Sequence, residues 1–241
     1  MFPLIINLLY PAQCLACGEK TASWDRGICG NCQKKIKKRL PPFCAKCGRQ
    51  ISTNSKTNNI CAYCMIEKLY FDRALSVFHY DGIIKNLIHE FKYKNRLSLS
   101  NDFTELAAGF IKEHAIGKEA DIVLSIPMHP LKLFKREINA SDVLARKIAK
   151  ILNCRHSAKV LKKTRNTASQ SRLSRRERIE NVKQSFSVNN NKKSEIKNKN
   201  ILLVDDLFTS GNTVNECAKA LKKASSGHIE VLTLARGDRL T

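Results

Sequence analysis

The chain has 241 residues, with 43 Lys and Arg against 21 Asp and Glu, for a formal net charge of +22. At about 100–200 residues per domain this length implies one medium domain and a small one, and an apolar fraction of 43% excludes wholesale disorder. No run approaches the ~20 apolar residues that cross a bilayer, so no membrane span is expected, and the charge points to a polyanionic partner more than to anything about fold.

The apolar start, Met1 to Leu9, lacks a basic n-region and is interrupted by Asn7 and Tyr10. It reads as a short amphipathic segment that packs against the domain after it, not as a secretory leader. A cytoplasmic location is expected, and in that reducing compartment clustered thiols are metal ligands more often than disulfides.

Eight of the ten cysteines then form four Cys-x-x-Cys pairs: Cys14/Cys17, Cys29/Cys32, Cys44/Cys47 and Cys61/Cys64. Each such turn can place two thiolates on one zinc, and two turns complete a tetrahedron. Gly18 and Gly48 come directly after the first and third pairs, where a residue without Cβ lets the backbone curl under the sulfurs. The simplest grouping is sequential, Cys14, Cys17, Cys29 and Cys32 at one site and Cys44, Cys47, Cys61 and Cys64 at the other. Spacing alone leaves an interleaved cross-brace open. Four thiolates leave no position for substrate, so both zinc sites are structural. Between the pairs, Lys34, Lys35, Lys37, Lys38 and Arg39 run without an acid. They suit phosphate neutralisation, and equally a solvated helix face. Trp24 is expected to pack the ribbon.

From Phe71 the pattern changes. A strand is predicted over Ala74–Tyr80, a helix over Ile83–Tyr93 with Ile84, Leu87, Ile88 and Phe91 at helical spacing, and a second helix over Phe103–Glu113. Asp121–Ile126 reads as a buried strand leading into a loop at Pro127, Met128, His129 and Pro130. Helices are expected at Ser141–Leu152 and Val214–Ala224, and strands at Ile201–Val204 and Ile229–Leu234. Strands alternating with helices imply an α/β fold, a mostly parallel sheet with helices on both faces. The organisation is a double zinc ribbon over residues 1–70 and an α/β domain over residues 71–241. Cys217 is expected in the core, and His79 and His89 in structural roles.

Ahead of the strand at Ile201 lies Lys162–Lys199, rich in Lys and Arg, with Arg165, Arg172, Arg175, Arg176 and Arg178 close together and only Glu177, Glu180 and Glu195 as acids. Such a segment can close over a polyphosphate or track a nucleic-acid backbone. Asn189–Asn200 reads as a polar surface turn. The sharpest feature comes next. Ile201–Val204 brings a strand to its carboxyl end, where open α/β sheets bind ligands. There Asp205 and Asp206 precede Thr209, Ser210, Gly211, Asn212 and Thr213, which lead into a helix. Hydroxyls and backbone N–H groups at a helix N-terminus cradle phosphate, and adjacent carboxylates accept from sugar hydroxyls. The loop lacks a Gly-Lys-[Ser/Thr] ending, which excludes a Walker A loop.

The string from Val204 to Thr213 resembles the phosphoribosyl-pyrophosphate (PRPP) motif of type I phosphoribosyltransferases. The whole chain, with its four Cys-x-x-Cys pairs, Phe71-Asp72-Arg73-Ala74, Pro127-Met128-His129-Pro130, Arg165-x-Thr167-x-x-Gln170-x-x-Leu173, Arg178-x-x-Asn181-Val182 and Leu232-Thr-Leu-Ala-Arg236, resembles the ComF family of competence proteins. The resemblance implies that Asp205 and Asp206 meet the ribose hydroxyls, directly or through Mg²⁺, and are the catalytic pair of an active enzyme. Thr209 to Thr213 would hold the 5′-phosphate, Pro127, Met128 and His129 the pyrophosphate, and Arg165 and Gln170 would lie on a mobile catalytic loop. It also implies a role in natural transformation, with single-stranded DNA and a competence helicase as partners. Lys34, Lys35, Lys37, Lys38, Arg39, Arg172, Arg175 and Arg176 are the candidate nucleic-acid contacts. The alternatives are a working Mg²⁺-dependent phosphoribosyltransferase and a zinc-ribbon adaptor. One stretch departs from the family's Arg-Gly-Phe-Asn-Gln: it reads Arg136-Glu137-Ile138-Asn139-Ala140, with a negative charge introduced beside the pyrophosphate loop.

Overall fold

The computed structural model describes residues 12–52, 59–167 and 175–237. The amphipathic start Met1–Leu9 lies outside the described residues, as do Gln170 and Arg172, and so do the side chains of Arg175, Arg176 and Arg178.

The cysteine half contains two one-turn helices, α1 (Gly30–Lys34) and α2 (Ala62–Ile66). The rest alternates strand and helix: β1 (Arg73–His79), α3 (Gly82–Tyr93), α4 (Leu99–Glu113), β2 (Ile122–Ser125), α5 (Pro130–Arg136), α6 (Ala140–Ile151) and β3 (Arg155–Ser157). β4 (Leu161–Lys163), α7 (Arg175–Val182), β5 (Phe186–Val188) and a 3₁₀ turn at Asn190–Glu195 precede β6 (Ile201–Phe208), α8 (Asn212–Lys223) and β7 (Ile229–Arg236). Five strands form a parallel sheet in the order β1-β7-β6-β2-β3, and β4 and β5 pair antiparallel as a separate hairpin.

Each central strand is buried on both faces, so successive residues divide between two cores. Leu75, Val77, Val123, Leu202, Val204, Leu232 and Leu234 face α3, α4 and α6. Ala74, Ile122, Leu124, Ile201, Leu203, Ile229 and Val231 face α8 and the β4–β5 hairpin. Ile84, Leu87, Ile88 and Phe91 are the buried stripe of α3, as their spacing predicts.

The cysteine half docks on the sheet's β1 edge. Arg39 N donates to Val77 O at 2.9 Å, His79 N to Lys37 O at 3.3 Å and Ala74 N to Lys46 O at 2.8 Å. Gly48 makes that approach feasible: φ is +66° and a Cβ there would collide with the Ala74 carbonyl. The first ribbon is tied instead to α4, where Gly27 N donates to Asp102 Oδ2 at 2.7 Å and Asn101 Nδ2 to Asp25 O at 2.8 Å. Trp24 does not pack the ribbon as expected; it is 52% exposed.

Several elements differ from expectation. β6 runs on through the acids to Phe208, because β7 supplies backbone partners alongside, pairing Asp205 with Thr233 and Phe208 with Arg236. α5, which buries none of its side chains, and the three-residue strands β3, β4 and β5 carry no periodic signal. The Asn189–Asn200 turn contains the 3₁₀ segment. Among the described residues no helix is long and apolar enough to cross a membrane.

Candidate phosphate site and metal centres

The chain leaves β2 toward β3 on one side and leaves β6 toward β7 on the other, so the carboxyl ends of β2 and β6 flank the point where strand order reverses. A crevice opens there in doubly wound sheets. Its two lips are the loops after these strands, Pro127–His129 and Thr209–Gly211.

Loop 209–213 enters α8 through Gly211, whose φ of +79° lies in the left-handed region. A Cβ on Gly211 would stand 2.6 Å from Phe208 Cζ, so the ring beneath also demands glycine. Ser210 Oγ and Asn212 Nδ2 are buried and have no hydrogen-bond partner. Buried polar groups are almost always satisfied. Two orphans within three residues, at the N-terminus of a helix, fit an anionic ligand.

The acid pair behaves asymmetrically. Asp206 is 5% exposed, and its Oδ1 stands 2.6 Å from Lys92 Nζ at the end of α3. Asp205 Oδ1 accepts from Ser141 Oγ at 2.7 Å and from Asp206 N at 2.9 Å. Burial, and then the neighbouring Asp206 charge, push Asp205 up to about 7. Burial opposes the charge on Lys92, but Asp206 and Asp205 override it and hold the ammonium above the ordinary lysine value. Lys92 and Ser141 are not legible in the sequence as site residues: one is a last-turn lysine and the other a first-turn serine, both common in surface helices.

The β2 lip is braced from α6. Asn139 Nδ2 donates to Ile126 O at 3.0 Å, and Ser125 Oγ to Asp142 Oδ1 at 3.1 Å. His156 and Arg146 also face the Asp142 carboxylate, which holds it down at about 2 despite burial. Pro127, Met128 and His129 are half-buried, and His129 Nδ1 accepts from Leu131 N at 3.3 Å as the cap of α5. Glu137, where the family pattern has glycine, adopts φ +62° and accepts from Asn95 Nδ2 at 3.1 Å. That left-handed backbone is one a glycine adopts without strain. Arg165 is exposed and donates to Lys183 O at 2.8 Å; Lys132, on α5, donates to Thr167 O at 2.6 Å.

The eight cysteines gather sequentially. In each tetrad, Cys14/Cys17/Cys29/Cys32 and Cys44/Cys47/Cys61/Cys64, the ligand atoms all lie within 4.8 Å of one another. The Sγ atoms of Cys17 and Cys29, and of Cys47 and Cys61, are 3.7 Å apart. Zn–S bonds of about 2.3 Å give tetrahedral edges of about 3.8 Å, so both tetrads fit zinc. The pairs without a glycine after them have their own device: Cys29 and Cys61 are the N-caps of α1 and α2, so a helical turn closes each pair.

The basic run between the tetrads divides. Lys34, Lys35, Lys37 and Lys38 are exposed, whereas Arg39 is 1% exposed. Its Nη1 donates to Gly48 O at 2.7 Å and its guanidinium lies over the Phe43 ring. Arg39 is thus a structural residue and not a nucleic-acid contact. Cys217 is buried in the core as expected, and His89 stacks on Tyr93.

The chain matches the double zinc ribbon domain model over residues 5–65 and the phosphoribosyl transferase domain model over residues 99–240. It is 27% identical to "Competence protein F" of Haemophilus influenzae, covering 93% of this chain and 96% of that one. It is 26% identical to "DNA utilization protein YhgH" of Salmonella typhimurium, covering 95% and 99%, and 25% identical to "Competence protein ComFC" of Bacillus subtilis, covering 88% and 85%.

Proposed function

The chain belongs to the phosphoribosyl transferase domain family, and on that premise we propose that it binds PRPP, or a related ribose 5-phosphate, through its α/β part and handles single-stranded DNA in natural transformation. The observation that carries the PRPP reading is the pair of unpartnered buried groups, Ser210 Oγ and Asn212 Nδ2, in the loop that opens α8. Those groups, with the α8 backbone amides, would receive the 5′-phosphate. Asp205 and Asp206, at the carboxyl end of β6, would accept from the ribose hydroxyls. The same carboxylates would hold Mg²⁺, which supplies charge neutralisation to a pyrophosphate group. The loop at Pro127, Met128 and His129, held by Asn139 and Asp142, would face that pyrophosphate. Arg165 and Gln170, the latter outside the described residues, belong to the same proposal as pyrophosphate contacts.

The DNA part rests on the names of the relatives and on the exposed Lys34, Lys35, Lys37 and Lys38. A cytoplasmic location, a helicase partner and the division into residues 1–70 and 71–241 belong to the same proposal. Calorimetry with PRPP and Mg²⁺ tests the small-ligand reading: binding that Asp206→Ala abolishes supports it, and no heat at millimolar PRPP rejects it.

A transferase reading draws on the same geometry, with Asp205 and Asp206 on β6 beside the unpartnered Ser210 Oγ and Asn212 Nδ2. Pyrophosphate release from PRPP with a panel of nucleobases tests it, and silence across the panel leaves a binding role alone.

A further inference from the structure

The chain around the second cysteine tetrad meets the phosphate loop at Ser210 and at its two flanks, Phe208 and Asn215. Arg236, the last residue of β7 and 3% exposed, donates from Nη1 to Cys47 O at 2.7 Å and from Nη2 to Cys47 Sγ at 3.9 Å. Its guanidinium lies 4.5 Å from the centroid of the Phe208 ring, the ring whose edge fills the space under Gly211. Tyr63, between ligands Cys61 and Cys64, directs its hydroxyl at Ser210 O, 3.5 Å away. The chain leaving this tetrad then clamps the first turn of α8: Tyr70 N donates to Asn215 Oδ1 at 2.7 Å, and Asn215 Nδ2 to Lys68 O at 3.1 Å. The first tetrad has a different anchor, the Asp102 and Asn101 face of α4.

We propose that the metal at the second tetrad sets the shape of loop 209–213, with Arg236 and Tyr63 as positioning residues, so that phosphate affinity depends on that metal and not on the one at the first tetrad. A zinc ion fixes the Cys47 backbone, and with it the carbonyl that orients Arg236. The flat guanidinium then holds Phe208 where Gly211 can pass over it. Without that support Phe208 keeps its edge contact with Phe71 but loses the plane that holds its other face, and the loop that carries Ser210 and Asn212 sits on a less fixed base. The coupling runs through discrete packed contacts, and linkage makes it reciprocal: phosphate at the loop must hold the second metal more tightly.

The inference rests on the reading that loop 209–213 binds phosphate, and the test separates the two. The zinc-loaded full chain is titrated with ribose 5-phosphate, and zinc is partitioned at equilibrium against a chromogenic chelator with and without the sugar phosphate. The expected result is that ribose 5-phosphate raises the affinity of one zinc of the two. Arg236→Lys keeps both zinc ions by native mass, weakens ribose 5-phosphate about fivefold or more and loses the gain in zinc affinity. Arg26→Ala, which loosens only the salt bridges of the first ribbon to Asp102 and Glu105, binds as the parent chain does. If Arg236→Lys fails to fold, Tyr63→Phe replaces it. A parent chain that binds no ribose 5-phosphate overturns the phosphate site itself. A parent chain that binds it while the affinities of both zinc ions stay unchanged overturns the coupling and leaves the site standing.

Discussion

Lys92 Nζ and Asp206 Oδ1 form a 2.6 Å ion pair that joins the end of α3 to the carboxyl end of β6. Its partners keep 21% and 7% of their side-chain surface, so water screens it poorly. The ammonium neutralises an acid pair that would otherwise carry two like charges side by side.

Removing one partner strands the other. Lys92→Met is expected to cost about 3 kcal/mol of unfolding free energy, the range for breaking a buried pair. Lys92→Met combined with Asp206→Leu recovers most of that loss, because no uncompensated charge remains. Urea unfolding of the parent, the singles and the double completes the cycle. Additive losses would show that the two residues are not coupled.

The Asp205 carboxyl makes both stability and ligand binding depend on pH. In the folded chain it keeps its proton up to about 7, while an unfolded aspartate releases it near about 4. Between those values the unfolded chain binds fewer protons, so this group lowers stability as pH climbs from about 4 to about 7 and adds no change above. Asp205→Asn should flatten that part of the profile. An ionised carboxylate accepts from ribose hydroxyls more strongly than a protonated carboxyl does, so PRPP affinity should rise with pH up to about 7 and level off above it. Calorimetry at pH 6, 7 and 8 reads this, and a flat affinity across that window would count against Asp205 as a ribose contact.

Glu137→Gly should stabilise the chain by about 0.5–1 kcal/mol. A non-glycine residue at φ +62° carries a backbone cost of about 1 kcal/mol, from which the loss of the exposed Asn95 hydrogen bond subtracts a fraction. Thermal unfolding measures the gain. A loss of stability would mean that the Asn95 contact outweighs the strain.

The four exposed lysines and Arg39 should separate experimentally. Replacing Lys34, Lys35, Lys37 and Lys38 together by Ala is expected to reduce the salt slope of poly-dT binding by about 3, at ~0.7 per phosphate contact on single strands. Arg39→Ala should leave that slope alone and lower the unfolding midpoint, since its guanidinium holds the Gly48 carbonyl. An unchanged slope in the quadruple variant would remove the ribbon from the DNA-binding surface.

Much of this architecture is legible in the sequence wherever one residue type can do only one job. Ile201 to Val204, then two acids and a Thr-Ser-Gly-Asn-Thr loop, announce a strand end and an anion site. Gly18 and Gly48 announce the two turns that need positive φ, and cysteine spacing announces the tetrads. Legibility fails where chemistry is set by burial. Arg39 reads like the lysines before it, yet a backbone bond to Val77 draws it inward. Lys92 reads as a solvated last-turn cation, and only the crossing of α3 over the end of β6 brings it to Asp206. The three-residue strands β3, β4 and β5 are too short for any period to show.

The contacts that Lys37 and Arg39 make with His79 and Val77 close the one flank of the sheet that β1 would otherwise present to solvent. An open parallel edge recruits foreign strands, and here its cover is a segment strung between two cysteine tetrads whose order depends on metal. If the tetrads lose their metal, that cover loses its order, and the β1 edge is expected to become available to another strand.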